Sequence, residues 1–244
     1  MKRHDHDRRR ARGAVTTALA ALALGLALAA LTSPAVAKLG GGRVPAPRPA
    51  GSSAAELRPT IVRDLIPYGE RRRAQMADYS QRHYGFHTSW LTDPKVVVLH
   101  FTAGSTYASA YWTFRANTPN KGELPGVSSH FVIDKDGTIY QLVPLAVRAR
   151  HCVGLNHRSI SIEFVQETGA GSHWADQQIL ARRRQANAGL RLVRYLMARY
   201  GIEKANVIGH AMANDSPYFK DLRGWRNTHT DWQAADVREF RSRL

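Results

Sequence analysis

The sequence contains very little cysteine: Cys152 is the only one in 244 residues. No disulfide can therefore form within the chain. The sequence also lacks a Cys-x-x-Cys pair and a His-Glu-x-x-His motif, so two common zinc-binding patterns are absent. Without disulfides, the protein must be stabilised by an apolar core or by a bound metal. Cys152 is expected to be a small buried residue.

Acidic residues are also scarce, with 19 Asp and Glu against 35 Lys and Arg, and the formal net charge is +16. Such a charge favours an anionic partner, for example nucleic acid, acidic lipid or an anionic polymer of a cell envelope. Arginine outnumbers lysine by 28 to 7, however, so genomic base composition explains the charge equally well. No basic nucleic-acid-binding motif accompanies the charge, and a nucleic-acid partner is not expected.

The N-terminus has the features of an export signal. Four arginines between positions 8 and 12 precede the apolar run "GAVTTALAALALGLALAALTS", and the small residues Ala35-Val36-Ala37 follow it. This order predicts a secretory signal peptide over residues 1–37 that is removed on export. A retained membrane anchor is the alternative, because the run exceeds the roughly 17 residues needed to span a bilayer. The protein is thus expected to be secreted or attached to the cell envelope, and to contact a membrane only if the segment stays uncleaved.

The next two segments are predicted to carry no chemistry. Residues 38–56 are rich in Gly, Pro, Ala and Ser and have no large aromatic residue, which is typical of a flexible linker. Residues 57–94 contain a short helical pattern that ends at Gly85, with Arg71, Arg72 and Arg73 on its solvated face. We interpret this stretch as an N-terminal extension that packs on the domain that follows.

From residue 95 onward the pattern alternates between strands and helices. The β-branched run before His100 predicts a buried strand, and a short helix is predicted over residues 107–116. Asp136-Gly137 predicts a hairpin turn, and residues 177–200 predict one long helix that Gly201 ends. Interleaved elements of this kind indicate one α/β or α+β domain over residues 95–244.

Two predicted strands end in a histidine, "VVVLH" at His100 and "NVIGH" at His210. A third strand, "SISIEFV", alternates cleanly, so that Glu163 lies on the face opposite its apolar side chains. A later tail, "RNTHTDW", adds His229 and Asp231. These residue types can bind a metal, but their spacing alone leaves a metal site and ordinary core histidines as alternatives.

Three stretches in this order, "VVVLHFTAG", "SSHFVIDKDGTIYQLVPLAVRARHCVGLNHRSISIEFV" and "VIGHAMANDSPYFKD...HTDW", resemble the zinc-dependent N-acetylmuramoyl-L-alanine amidase family, which includes the peptidoglycan recognition proteins. The resemblance covers residues 95–232. It implies a mixed central β-sheet flanked by helices, with the metal cleft at one edge. It also implies that His100, His210 and Asp231 bind Zn²⁺ and leave a fourth position open, as in catalytic zinc sites.

The resemblance also implies roles for other residues. Glu163 matches the family's general base, and His229 is placed to stabilise an oxyanion. Thr102, His151 and Asn156 match positions that line the substrate groove. His130 lies on the strand before the hairpin. A structural role and a functional role are both alternatives for it.

Two alternatives remain at this point. Many relatives continue the third-ligand motif with Pro-Gly, whereas Trp232 and Gln233 stand here, so Asp215, Asp221 and His229 are rivals of Asp231. The implied function is a secreted bacterial zinc amidase that cleaves the bond between N-acetylmuramic acid and the L-alanine of peptidoglycan stem peptides. The alternative is a module that binds peptidoglycan or its fragments without cutting them.

Overall fold

The structure is a computed structural model, and it describes residues 53–244. The predicted signal peptide (1–37) and nearly all of the predicted linker (38–56) lie outside the described residues. Six strands form one sheet in the order β1-β4-β3-β5-β2-β6. The strands are β1 (Val62–Arg63), β2 (Val96–Phe101), β3 (Phe131–Ile133), β4 (Ile139–Gln141), β5 (Ser159–Phe164) and β6 (Val207–Gly209).

Five α-helices flank this sheet within the described residues. They are α1 (Glu70–Tyr84), α2 (Tyr107–Ala116), α3 (Ser172–Ala181), α4 (Arg183–Tyr200) and α5 (Ala234–Ser242). Only β3 and β4 pair antiparallel, as the predicted hairpin, and the other neighbouring strands pair parallel. The mixed sheet flanked by helices is therefore confirmed. Across residues 53–244, no helix has both the length and the apolar character required to cross a membrane.

The sheet has an apolar core on each face, which explains the unbroken apolar run of β2. Val97 and Leu99 pack with α3, α4 and α5 in the larger cluster. Val96 and Val98 point to the other face and pack with Cys152 and neighbours. A parallel strand that is covered on both sides needs apolar residues at every position until it reaches the edge of the sheet. Cys152 is buried, as predicted.

The prediction of one long helix over residues 177–200 is wrong. Arg182 has φ −79° and ψ 85°, which is not helical, and it separates α3 from α4. In the first turn of α4, the buried amide of Gln185 donates hydrogen bonds to the carbonyl oxygens of Ile133 and Val165, both 3.0 Å away. The break lets α4 begin with this contact to the ends of two strands. No Gly or Pro marks the break in the sequence.

The N-terminal segment takes part in the sheet and in the helical layer. Strand β1 pairs with β4, and α1 ends at Gly85 in a left-handed conformation, φ 84°, as predicted. The prediction that Arg72 is solvated is wrong, because its side chain is buried. Its guanidinium donates to the carbonyl oxygens of Phe114 at 2.8 Å, Val127 at 3.1 Å and Gly126 at 3.3 Å.

Candidate active site

Three parallel strands deliver polar side chains to one edge of the sheet. His100 on β2 and Glu163 on β5 are register partners, so their side chains lie side by side on the same face. His210 follows β6 directly, and β6 pairs with β2 in parallel. The carboxyl ends of parallel strands thus bring these residues together. They line a cavity of about 760 Å³.

His100, His210 and Asp231 form a compact buried group at the bottom of this cavity. The Nδ1 atoms of the two histidines are 3.0 Å apart. The Asp231 carboxylate lies 3.4 Å from Nδ1 of His100 and 3.2 Å from Nδ1 of His210. Four ligands placed tetrahedrally at zinc bond lengths are separated by about 3.4 Å, so this spacing matches what a zinc ion requires.

The segment that carries Asp231 is held against the histidine strands by its own neighbours. Trp232 is fully buried, and its Nε1 donates to the carbonyl oxygen of His100 at 3.2 Å. The main-chain N–H of Ala211 donates to the carbonyl oxygen of Asp231 at 2.9 Å. Asn227 donates from its amide to the carbonyl oxygen of His210 at 2.8 Å. These contacts fix the carboxylate before any ligand arrives.

The charge states of the group suit a metal. Burial, together with the neighbouring His210, lowers the pKa of His100 to about 4, which keeps its imidazole neutral. Burial alone would raise the pKa of Asp231, but the neighbouring imidazoles of His100 and His210 hold it well below its usual range. Neutral imidazoles and an ionised carboxylate are the forms that bind a metal ion.

The rivals of Asp231 are placed elsewhere. Asp221 contacts Nδ1 of His83 at 2.8 Å with no side-chain exposure, and Asp215 is exposed at the end of a 3-10 turn. His229 lies at the mouth of the cavity, 4.0 Å from the Asp231 carboxylate and largely exposed. Its ring stacks on His210 with centroids 4.3 Å apart.

Glu163 is buried in the cavity wall, and its Oε2 atom has no hydrogen-bond partner among the described residues. Burial raises the pKa of this carboxyl to about 8, and the negative charge of Asp231 adds to the effect. A buried carboxyl oxygen without a partner is costly for folding, which makes Glu163 a candidate for a role in the chemistry of the cavity.

The three residues predicted to line the groove all contribute to the cavity wall, but their polar atoms bond within the protein. Thr102 Oγ1 donates to the carbonyl oxygen of Gly104 at 3.1 Å. Asn156 has no exposed surface, and its Oδ1 accepts from the main-chain N–H of His151 and of Cys152, both at 2.8 Å. His151 Nδ1 lies 3.1 Å from Nε2 of His100. His130 is buried, with Nε2 3.0 Å from the carbonyl oxygen of Val147, and it does not belong to the group of His100, His210 and Asp231.

Sequence reasoning missed several residues of the cavity wall. Tyr79 comes from α1, a helix predicted to carry no chemistry, and Lys121 and Arg150 come from loops. Arg150 holds the loop of Lys121 in place, because its guanidinium donates to the carbonyl oxygens of Asn120, Glu123 and Pro125. Nothing in the local sequence distinguishes these residues, since only the tertiary contacts of α1 and of the loop bring them to the site.

Comparison with known proteins gives similarity over most of this domain. A family model described as N-acetylmuramoyl-L-alanine amidase matches residues 90–231. Among solved structures, a mutant endolysin from Bacillus subtilis is 25% identical, with a TM-score of 0.40 over 62% of this chain and 83% of that chain. The N-acetylmuramoyl-L-alanine amidase LysC from Clostridium intestinale URNW is 20% identical, with a TM-score of 0.45 over 75% and 97% of the two chains. The catalytic domain of XlyA is 21% identical, with a TM-score of 0.46 over the same shares. No curated protein gave a match.

Proposed function

The chain belongs to the N-acetylmuramoyl-L-alanine amidase family, and on that premise we propose that it is a secreted, zinc-dependent enzyme. Its reaction is hydrolysis of the amide bond between the lactyl group of N-acetylmuramic acid and the L-alanine of the stem peptide. The family identity supports this activity and peptidoglycan as the substrate. The dependence on zinc, the export and the residue roles are our proposals.

The observation that carries the zinc proposal is the donor set at the cavity floor. Two imidazole Nδ1 atoms and one carboxylate lie within 3.0 to 3.4 Å of each other and are buried. Zinc prefers nitrogen and carboxylate ligands, and three protein ligands are the number found in catalytic sites. His100, His210 and Asp231 would therefore hold the ion. When bound, it would supply Lewis acidity that polarises the scissile carbonyl and favours loss of a proton from water.

The protein's own residues would complete the reaction. The positive charge of a bound zinc ion would favour the ionised form of Glu163, which accepts a proton from the attacking water at Oε2. The C–O bond forms first and leaves negative charge on the former carbonyl oxygen. Glu163 then passes the proton to the nitrogen of alanine, and the C–N bond breaks. His229, exposed at the mouth of the cavity, donates a hydrogen bond to the carbonyl oxygen as negative charge develops there. The products are a lactyl carboxylate on the sugar and a free amino group on alanine.

We propose the domain boundaries given by the sequence: a signal peptide over residues 1–37, a linker over 38–56, an N-terminal extension over 57–94 and the amidase domain over 95–244. This arrangement would release the enzyme outside the cytoplasmic membrane, where peptidoglycan lies. Loss of residues 1–37, with six Lys and Arg and two Asp, would reduce the formal net charge from +16 to +12, which would still favour contact with anionic polymers of the cell envelope.

Zinc content tests the ligand assignment directly. Elemental analysis of the wild type should give one zinc per chain, and Asp231→Ala should lose most of the metal and of the activity. Asp221→Ala is the matched control, because it removes a buried carboxylate outside the donor set. Asp221→Ala should keep its zinc at the cost of some stability. Full zinc occupancy in Asp231→Ala would show that the third ligand is wrong.

A further inference from the structure

A chain of hydrogen bonds leads from His100 away from the metal group and into the core. Nε2 of His100 lies 3.1 Å from Nδ1 of His151. Nε2 of His151 lies 3.0 Å from Oγ of Ser159. Ser159 Oγ in turn lies 2.7 Å from the carbonyl oxygen of Leu155. The chain ends at a main-chain atom that can only accept.

The acceptor at the end of the chain determines which atom donates in each of the three hydrogen bonds. The carbonyl oxygen of Leu155 has no proton to give, so Ser159 donates its one hydroxyl hydrogen to it. Ser159 Oγ then accepts from His151, which places a hydrogen on Nε2 of that imidazole. A neutral imidazole carries one N–H, so His151 Nδ1 is an acceptor and takes the hydrogen of His100 Nε2. The lone pair of His100 is left on Nδ1, the atom that faces His210 and Asp231.

The surroundings of His151 agree with these directions. Within residues 53–244, no carboxylate forms an ion pair with its ring, although His100, His210 and His229 each lie beside Asp231. The ring is also held in place through its main chain, because Asn156 Oδ1 accepts from the N–H groups of His151 and Cys152 while Asn156 Nδ2 donates to the hydroxyl of Tyr84.

His210 lacks such a contact. Its Nε2 is buried and has no hydrogen-bond partner among the described residues. Within the described residues, His100 thus has a hydrogen-bond partner on the ring nitrogen that faces away from the group, and His210 has none there. His100 is the ligand that is organised in advance.

We propose that His151, anchored by Ser159, is a positioning residue that holds His100 in the tautomer whose Nδ1 is free to bind the metal. This inference rests on the proposed function in so far as the metal is zinc. It replaces the predicted contact of His151 with substrate by a contact with a metal ligand. Partners of this kind orient metal-bound histidines, and their loss typically lowers metal affinity by about 10- to 100-fold.

Zinc affinity, measured by competition with a chelator, tests the proposal on full-length variants. His151→Phe removes the acceptor and should weaken zinc binding by about 10- to 100-fold. His151→Asn keeps an oxygen near the position of Nδ1 and should recover most of the affinity. His130→Phe is the matched control, because it removes a buried imidazole whose ring centroid lies 6.1 Å from that of His151 and that is not hydrogen-bonded to His100. It should leave zinc affinity within about threefold of the wild type, well short of the loss expected at a metal-ligand partner. Equal affinities in His151→Phe and the wild type would overturn the proposal.

A second measurement does not depend on variants that fold. Nitrogen-15 NMR of the metal-free wild type should show His100 protonated at Nε2 and unprotonated at Nδ1. The opposite tautomer would refute the proposal even if zinc binds. A wild-type protein that binds no zinc would refute the proposed function instead, and the tautomer of His100 would still decide the present inference.

Discussion

Glu163 combines two properties that rarely occur together in a residue with a purely structural role. It is buried on a central strand, and one of its carboxyl oxygens has no partner within the described residues. A side chain kept only for stability would be replaced without penalty by an apolar residue at such a place. Its position beside His100 in the register places it in the wall of the cavity that the proposed substrate would enter.

Replacing this carboxyl by an amide isolates its role in proton transfer. Glu163→Gln should keep the fold and the zinc content but lower kcat by about 100-fold or more, which is the scale of a lost acid or base. Steady-state kinetics with a soluble muropeptide measure the loss. Glu167→Gln, an exposed position four residues further along the chain, is the control and should leave kcat unchanged. Near-normal turnover in Glu163→Gln would rule out the assigned role.

At the residue scale, the sequence predicted the centre of the site better than its walls. His100, His210 and Asp231 could be found because strand ends and a family motif mark them, and the structure brings them within 4.8 Å of one another. The contacts of His151 and Asn156 could not be found, since they depend on which nitrogen faces which neighbour. Their match to groove positions suggested contact with substrate, whereas their hydrogen bonds lie inside the protein.

At the scale of elements, the position of the group of His100, His210 and Asp231 depends on a close approach between β6 and the segment after Asp231. A Cβ atom added at Gly209 would lie 1.6 Å from the carbonyl oxygen of Trp232. No side chain fits there. Glycine at the last position of β6 therefore allows the strand to pack directly against the backbone of Trp232, the residue after Asp231. His210 and Asp231 are held together by this contact.

The variant Gly209→Ala tests this close approach. It should destabilise the protein by about 2 kcal/mol or more, as overpacking of a tight site does, and should weaken zinc binding because Trp232 must move. Denaturant unfolding and zinc titration measure the two effects. Gly69→Ala is the control, because an added Cβ there meets no atom within 4 Å. If Gly209→Ala equals Gly69→Ala in both measurements, the contact does not position the site.

The elements themselves were predictable where the pattern was long or clearly alternating. The helix over residues 107–116, the hairpin and the strand of Glu163 all occur as the pattern indicates. The break at Arg182 was not predictable, because it arises from the contacts of Gln185 with strand ends and not from a helix-breaking residue. Arg72 was predicted wrongly for a related reason. Its guanidinium binds three main-chain carbonyls far along the chain, one in the last turn of α2 and two in the loop that follows.

At the scale of the whole molecule, export is the proposal that connects the chain to its substrate. The intact mass of the protein recovered from the medium or the envelope should correspond to a chain that begins at Lys38, because the small residues before it match a processing site. Mass spectrometry of that material decides between the two alternatives. A full-length chain held in the membrane would establish the anchor instead.

The central claim is that this molecule breaks one particular amide of peptidoglycan with the help of zinc. A glycosidase uses two carboxylates and needs no metal for this chemistry, and it would leave new reducing sugar ends. The described site offers two imidazoles and a carboxylate around one point, with one further buried carboxyl beside them. That arrangement suits attack on a polarised carbonyl.

Product analysis after digestion of purified peptidoglycan by the zinc-loaded, full-length protein tests this claim most directly. We expect released peptides whose new N-terminus is the first alanine of the stem, together with intact glycan strands. When a chelator removes the zinc, no peptide should be released. New reducing ends without free alanine amino groups would contradict the account, and so would tight binding to peptidoglycan with neither product.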